Sequence, residues 1–449
     1  MICPIHYLWK VNNLKVTVIG QGFVGLSLSV ILASKKINVN ALDIDTKKIS
    51  NLRNGDPPFY EPNLEPLLKK CLNFKTIQFV NSYNEIESFG DIIFITLPTP
   101  NYKGKINLKF IISELNNLIP ILKNKNLTPI IVIKSTIAPG TTKSHLTPIF
   151  KKFYAQPGSD FHLALNPEFL REGFAITDQL NPHVIVIGTE DQKTKIKLNT
   201  FFKKVYSKKI PIVNTNFVSA EMIKYSNNAF LATKISFINS ISNLCQQIPG
   251  ANIDEIAKVI GMDSRIGPLF LKAGPGFGGS CLPKDLESLI SVCKKYKINS
   301  KLFESVKYVN DLQVSKILKI IKQKIPKLNG KTVSIFGIGF KENSDDIRAS
   351  KSIELIENLL KLNCQIHVYD KFAISNTKNI FKDKICYFTS KHKCIENSDC
   401  LILMHSGKEF EIFNDVFFKK MKNGLVIDTR RVLKKTPHNI EHIKIGINN

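Results

Sequence analysis

The sequence has no apolar run approaching the ~18 residues a membrane-spanning helix needs, so no membrane segment is expected. Positions 1–13 carry no basic stretch ahead of their apolar residues, which argues against a secretion signal. They read as an extension before the first strand. Cysteine is sparse. There are nine in 449 residues, none in a Cys-x-x-Cys pair and none grouped with histidine at zinc spacing. A disulfide scaffold and a structural metal site are therefore not expected, and a reducing compartment, the cytoplasm, is. Arginine is scarcer still, at six: Arg53, Arg171, Arg265, Arg348, Arg430 and Arg431. The net charge of +26 is thus nearly all lysine, spread along the chain with no basic block interleaved with aromatics. This pattern describes a solvated lysine surface, not a nucleic-acid reader, and such a surface attracts anionic small molecules.

What is present is ordinary for a globular chain: 43% hydrophobic and 22% charged residues, enough to bury sizeable cores. At about 150 residues per domain, the length points to two or three domains. The first stretch reads strand, glycine turn, helix, strand: KVTVI at 15–19, the turn at 20–25, a helix over 26–33 and a strand over 39–42. Apolar strands at 91–97, 129–134 and 183–187 continue it, as a parallel sheet covered on both faces would. The middle changes character. Residues 219–247 are helical without a breaker, and more helix is expected at 253–260, 286–297 and 302–325. At Gly330 the first pattern restarts, with strands at 331–336, 365–369, 400–404 and 425–427 and a helix over 352–362. The expected architecture is α/β: two Rossmann-like, doubly wound parallel-sheet lobes joined by a helical domain with a long central helix. The boundaries fall at 14–215, 216–327 and 328–449.

Four groups of residues carry chemistry. Gly20-x-Gly22-x-x-Gly25 directly follows a strand and opens a helix, and Asp43 stands 18 residues beyond Gly25 at the end of the second strand. That is the layout of a dinucleotide site: a tight turn, a close approach to pyrophosphate, close helix packing, and a carboxylate for the ribose hydroxyls. A carboxylate there repels a 2′-phosphate, which favours NAD over NADP. The second group is Gly276-Phe277-Gly278-Gly279-Ser280-Cys281, followed by Lys284 and Asp285. The glycines would let backbone approach a ligand, and a thiol at the start of a helix, near a lysine, is a candidate nucleophile. The plainer reading is a buried structural cysteine. Third, Lys224 and Asn228 are one helical turn apart, an ammonium and an amide that suit an oxyanion, or else an exposed polar pair. Fourth, Glu168 and Glu172 have the same spacing within 166–173, as acid–base and ribose ligands or as a solvated helix end. Thr99 and Ser135-Thr136 follow apolar strands, at the strand ends where open α/β sheets bind ligands.

Together with Tyr60-Glu61-Pro62, 166–173, 221–239 and 263–285, these residues resemble the UDP-glucose/GDP-mannose dehydrogenase family, from Leu14 to about Arg431. The resemblance implies that Cys281 is the nucleophile and that Lys224 and Asn228 hold the oxygen at the reacting carbon. It implies that Glu168 is an acid–base residue and that Asp285 with Thr136 positions water. NAD would be contacted by Gly20, Gly22, Phe23, Val24, Gly25, Asp43, Lys48, Thr99, Thr136, Glu172 and Arg348. The nucleotide sugar would meet Glu168, Phe169, Leu170, Arg171 and Glu172, then Lys224, Asn228 and Arg265. Phe270, Leu271, Lys272, Ala273, Gly274, Gly278, Lys341 and Arg430 complete that set. In the family the counterpart of Arg265 reaches across a dimer interface, so a homodimer or larger homo-oligomer is expected. The implied reaction takes UDP-glucose to the acid with two NAD⁺ and one water. The run 230–236 resembles the UDP-glucose branch, against an alternative of UDP-N-acetylhexosamine or GDP-mannose. A two-electron dehydrogenase of similar build would not need Cys281. One departure is Leu97-Pro98 before Thr99, where relatives often have glycine; it stiffens a loop beside the nicotinamide.

Overall fold

The computed structural model describes residues 14–102, 104–154, 158, 160–206 and 210–448; the expectations for positions 1–13 lie outside them. The chain packs as two units, one ending at Tyr225 and the other beginning at Ser226.

The first unit runs β1 (Lys15–Ile19), α1 (Phe23–Ser34), β2 (Asn38–Leu42), α2 (Thr46–Arg53), α3 (Leu64–Asn73), β3 (Ile77–Val80) and β4 (Ile92–Ile95). The short pair β5 (Asn101–Tyr102) and β6 (Lys105–Ile106) follows, then α4 (Lys109–Asn124), β7 (Ile130–Ile133), α5 (Thr147–Lys151) and β8 (His162–Leu165). It continues with α6 (Ala175–Leu180), β9 (Ile185–Gly188), α7 (Gln192–Val205), β10 (Ile212–Thr215) and the start of α8 (Phe217–Cys245). The eight-stranded sheet has the order β10-β9-β8-β7-β4-β1-β2-β3. Its strands are apolar on both faces because both are covered. Ile92, Phe94, Ile130 and Val132 enter one core, while Ile93, Ile95, Ile131 and Ile133 enter the other. Each such fully buried side chain contributes about 1.5–3 kcal/mol.

The strand expected at 183–187 forms as β9, but it enters antiparallel to β8. Residues 166–184 lie between them, a connection that is mostly loop with the six-residue α6 as its helix.

The second unit takes α8 onward and adds α9 (Ile253–Met262), α10 (Leu282–Lys295), α11 (Lys301–Asp311) and α12 (Gln313–Lys324). A single helix was expected over 302–325. It is divided at Leu312, where the Gln313 side chain donates to the Val309 carbonyl at 2.9 Å and competes for a rung of the ladder. Then come β11 (Thr332–Phe336), α13 (Lys351–Leu360), β12 (Gln365–Tyr369), α14 (Ile374–Phe381), β13 (Cys386–Phe388), α15 (Lys391–Cys394) and β14 (Cys400–Leu403). The chain finishes with α16 (Asp415–Phe418), β15 (Leu425–Asp428) and β16 (Glu441–Lys444). This sheet is wholly parallel, in the order β13-β12-β11-β14-β15-β16. Among the described residues no helix is long and apolar enough to cross a membrane.

Candidate functional site

In the first unit the glycine turn has the geometry its sequence calls for. Gly20 sits at φ +94°, where a side chain would be strained. A Cβ on Gly25 would lie 1.8 Å from the Gly20 carbonyl oxygen, so only glycine lets α1 pack this close to the turn. A Cβ on Gly22 would meet nothing within 4 Å: the space above it is open. Gly22 is also the N-cap of α1 and offers no side chain to its first N–H groups, which suits a pyrophosphate. Asp43 ends β2 and accepts from Gln21 N at 2.8 Å, from Asp45 N at 3.0 Å and from Lys48 Nζ at 2.7 Å. An ionised carboxylate has about four acceptor positions, so capacity remains for a ribose hydroxyl. Phe23 and Val24 are half-buried at the start of α1. Thr99 donates to the Thr136 carbonyl at 2.8 Å, joining the loops that follow β4 and β7. These residues fit a dinucleotide.

The same unit buries a charged cluster. The Lys224 ammonium donates to Glu168 Oε1 at 2.8 Å, and Leu170 N donates to Oε2 at 2.6 Å. Burial alone would raise the Glu168 carboxyl. The Lys224 charge and hydrogen bond, the Leu170 N–H and the Lys134 charge outweigh it and hold the group below its ordinary value. Lys134, at the end of β7, donates to Asn166 Oδ1 at 2.9 Å, and burial pulls it down to about 8. Sequence reasoning missed Lys134; an isolated lysine after an apolar strand gives no signal of burial.

The segment 166–173 is not helical, so Glu168 and Glu172 do not share a helix face as expected. It is a loop, fixed from outside by Glu61, which accepts from Gly173 N at 2.7 Å and Ala175 N at 2.8 Å. That explains Tyr60-Glu61-Pro62, whose role the sequence left open. Phe169 sits 5.5 Å from the Lys224 ammonium and edge-on to His183. Arg171 pairs with Asp178 at 2.7 Å.

In the second unit Cys281 is the N-cap residue of the 14-residue α10. Its sulfur is in no disulfide and has Ser280 Oγ at 3.4 Å. The expectation of a thiol at a helix start holds, a place that favours thiolate. The expectation for Lys284 changes: its ammonium donates to Asp285 Oδ1 at 2.7 Å. Asp285 is buried and takes a second bond from Asn228 Nδ2, also at 2.7 Å. Asn227 donates to Asn228 Oδ1 at 3.2 Å, which fixes the amide and leaves one Asn228 N–H for a ligand. Helix α8 is continuous through 224–228, so Lys224 and Asn228 are one turn apart along it.

The glycine run before Cys281 admits protein rather than ligand. A Cβ on Gly278 would lie 2.3 Å from the Ala349 carbonyl oxygen, and one on Gly279 would lie 2.7 Å from the Phe340 ring. Gly279 N donates to the Arg348 carbonyl at 2.9 Å. The Arg348 side chain pairs with Asp346, and Lys341 lies over the Phe340 ring. Residues 270–274 form a loop, with Phe270 at φ +65° and Leu271 and Ala273 buried. Lys272 is exposed. Arg431 donates to the Ala273 carbonyl at 3.0 Å, and a Cβ on Gly274 would meet the Arg430 guanidinium at 2.5 Å. Arg430 itself reaches the Gly276 carbonyl at 3.4 Å; among the described residues no carboxylate pairs with it. Burial pulls it down to about 10, with Arg431 adding to the effect and Glu342 opposing it. A half-buried cation with no carboxylate partner among the described residues suits an anionic ligand. Arg265, by contrast, is exposed and forked onto Asp263 at 2.6 Å.

Residues 14–209 match the NAD binding domain of the UDP-glucose/GDP-mannose dehydrogenase family, 218–312 its central domain and 334–435 its UDP binding domain. The chain is 36% identical to a UDP-glucose 6-dehydrogenase of Rickettsia typhi, covering 94% of this chain and 96% of that one. It is 37% identical to the UDP-glucose 6-dehydrogenase YwqF of Bacillus subtilis over 93% of each. A UDP-glucose dehydrogenase structure from Pyrobaculum islandicum superposes with a TM-score of 0.88 at 27% identity, covering 100% of both chains.

Proposed function

We propose that this chain, which belongs to the UDP-glucose/GDP-mannose dehydrogenase family, oxidises UDP-glucose to UDP-glucuronate by covalent capture on Cys281. It is an oxidoreductase that uses NAD and acts on UDP-glucose. NAD⁺ held at the glycine turn would supply the hydride acceptor, and taking a primary alcohol to a carboxylate needs two such transfers and one water. Between them the Cys281 thiolate adds to the aldehyde carbon, giving a thiohemiacetal that holds the sugar in place. Its oxidation gives a thioester, and water cleaves that to carboxylate and free thiol. The observation that carries this reading is the position of the Cys281 thiol at the N-cap of α10.

Lys224 and the remaining Asn228 N–H stabilise negative charge on the substrate oxygen in each tetrahedral species. Glu168, held ionised, acts as proton acceptor, and Asp285 with Thr136 orients the water. The turn Gly20, Gly22, Gly25, with Asp43, Lys48 and Thr99, holds NAD. Arg430 and Lys341 take the UDP diphosphate, and the loop 270–274 takes the rest of the nucleotide. We read 14–215 as the NAD-binding part, 216–327 as a helical dimerisation part and 328–449 as the UDP-sugar part. A dimer is supported by Phe230, Phe237 and Leu244, seven residues apart on α8 and 65%, 52% and 56% exposed. Arg265 would then serve the partner's site. Cysteines that form no disulfide among the described residues support work in the reducing cytoplasm.

The test is Cys281→Ser, which replaces a thiolate with a hydroxyl that stays protonated near neutrality. The variant should bind NAD⁺ and UDP-glucose by calorimetry while turnover falls by roughly 10³-fold or more. Near wild-type turnover would make Cys281 structural and remove the covalent route.

A further inference from the structure

Three charged side chains are buried together in the first unit: Lys134, Glu168 and Lys224, at 5%, 7% and 3% exposure. Lys224 pairs with Glu168 at 2.8 Å, and Lys134 is held at 2.9 Å by Asn166, two residues before Glu168, so two buried ammonium groups converge on one short segment, an expensive arrangement unless it is used. Lys134 is not there by default. Asn166 Nδ2 donates to the Val186 carbonyl at 2.8 Å, which turns Oδ1 toward Lys134 and makes a seat for a donor at 2.9 Å.

We propose that Lys134 is a positioning residue for the reaction: together with Lys224 it keeps the Glu168 carboxylate ionised and in place to accept a proton. This rests on the reading of Glu168 given above. The charged groups that act on Lys134 are Glu168, from the loop after β8, and Lys224, from α8. Asn166 contributes a neutral amide. Burial draws the Lys134 ammonium down to about 8, with Lys224 adding to the effect and Glu168 opposing it, so Lys134 is charged below that pH and neutral above it. The sign follows. The Lys134 charge is one of the influences that lower Glu168. Removing it lets Glu168 titrate at higher pH, and the acidic limb of kcat moves up.

The experiment measures kcat and KM against pH for wild type, Lys134→Met, Lys134→Arg and Glu168→Gln. The Met variant should move the acidic limb up by about one pH unit, with KM for NAD and UDP-glucose changed less than about threefold. The Arg variant, always charged, should keep the limb where wild type has it. A Met variant with an unmoved limb, or an Arg variant that moves with it, overturns the proposal. Glu168→Gln separates the premise: wild-type turnover there would sink the reading of Glu168 itself. If the Met variant does not fold, Asn166→Asp supplies the second arm. A carboxylate against Lys134 offsets its charge at Glu168 and should move the acidic limb upward, and an unmoved acidic limb would equally overturn the proposal.

Discussion

In the first unit the turn after β1 leaves open space above Gly22, whereas in the second unit the turn after β11 is filled by backbone. A Cβ on Gly339, the counterpart of Gly22, would lie 2.6 Å from the Ser344 carbonyl oxygen. The two sheets otherwise share a plan. β3-β2-β1-β4-β7-β8 and β13-β12-β11-β14-β15-β16 are the same six-strand order. In both, an aspartate ending the second strand accepts N–H groups of the turn: Asp43 from Gln21, and Asp370 from Ile338 and Gly339 at 2.6 and 3.1 Å. The difference lies in what comes next. Helix α1 starts within the glycine motif, with no side chain capping it. Helix α13 starts only at Lys351, and Ser350 caps it. The second copy thus uses its turn N–H groups internally, and a half-buried cation, Arg430, stands after β15. A shared fold fixes where strand ends point; the residues after each strand decide what they bind.

The comparison breaks if variants in the two turns do not separate cofactor from substrate. Arg430→Ala should show the largest effect. If Arg430 takes the diphosphate, its loss should raise KM for UDP-glucose by about 10²-fold, with KM for NAD within about twofold. Equal damage to both would mean that Arg430 is structural. Asp370→Asn should act on stability and leave the KM for NAD alone. Burial would raise this carboxyl, but the His405 hydrogen bond and charge and the backbone N–H groups hold it at about 2. A carboxyl so depressed stabilises the fold above its unfolded value near 3.9, and that contribution fades as pH falls toward 2. The variant should cost about 2 kcal/mol at pH 7 in denaturant titration, with the difference narrowing in acid. No loss at pH 7 would rule out this role. Asp43→Asn should give the smallest effect, on cofactor choice alone. Wild type should prefer NAD⁺ over NADP⁺ by at least about tenfold in kcat/KM, about 1.4 kcal/mol, and the variant should lose most of that. An unchanged ratio would place the discrimination elsewhere, with Lys48 as the next residue to test.

Much of this was legible in the chain. KVTVI, the glycine turn and Asp43 are local signals, and β1, α1 and β2 follow them within a few residues. The length of α8 and the helix behind Cys281 were likewise legible, because period and breakers are local. What was not legible is held from a distance. The loop 166–173 has glutamates at helical spacing, yet Glu61, more than a hundred residues earlier, fixes it as a loop. The glycines before Cys281 looked like ligand space because nothing local indicates that the chain at 340–349 fills it. Lys134 looked like any other lysine in a lysine-rich sequence until β7 carried it into the interior.

The most direct test of the covalent, four-electron reading is the amount of NADH formed per UDP-glucose consumed, with free aldehyde trapped and quantified. Capture on Cys281 predicts a ratio of two, with no aldehyde accumulating. A ratio of one, or aldehyde released in step with NADH, would contradict the account.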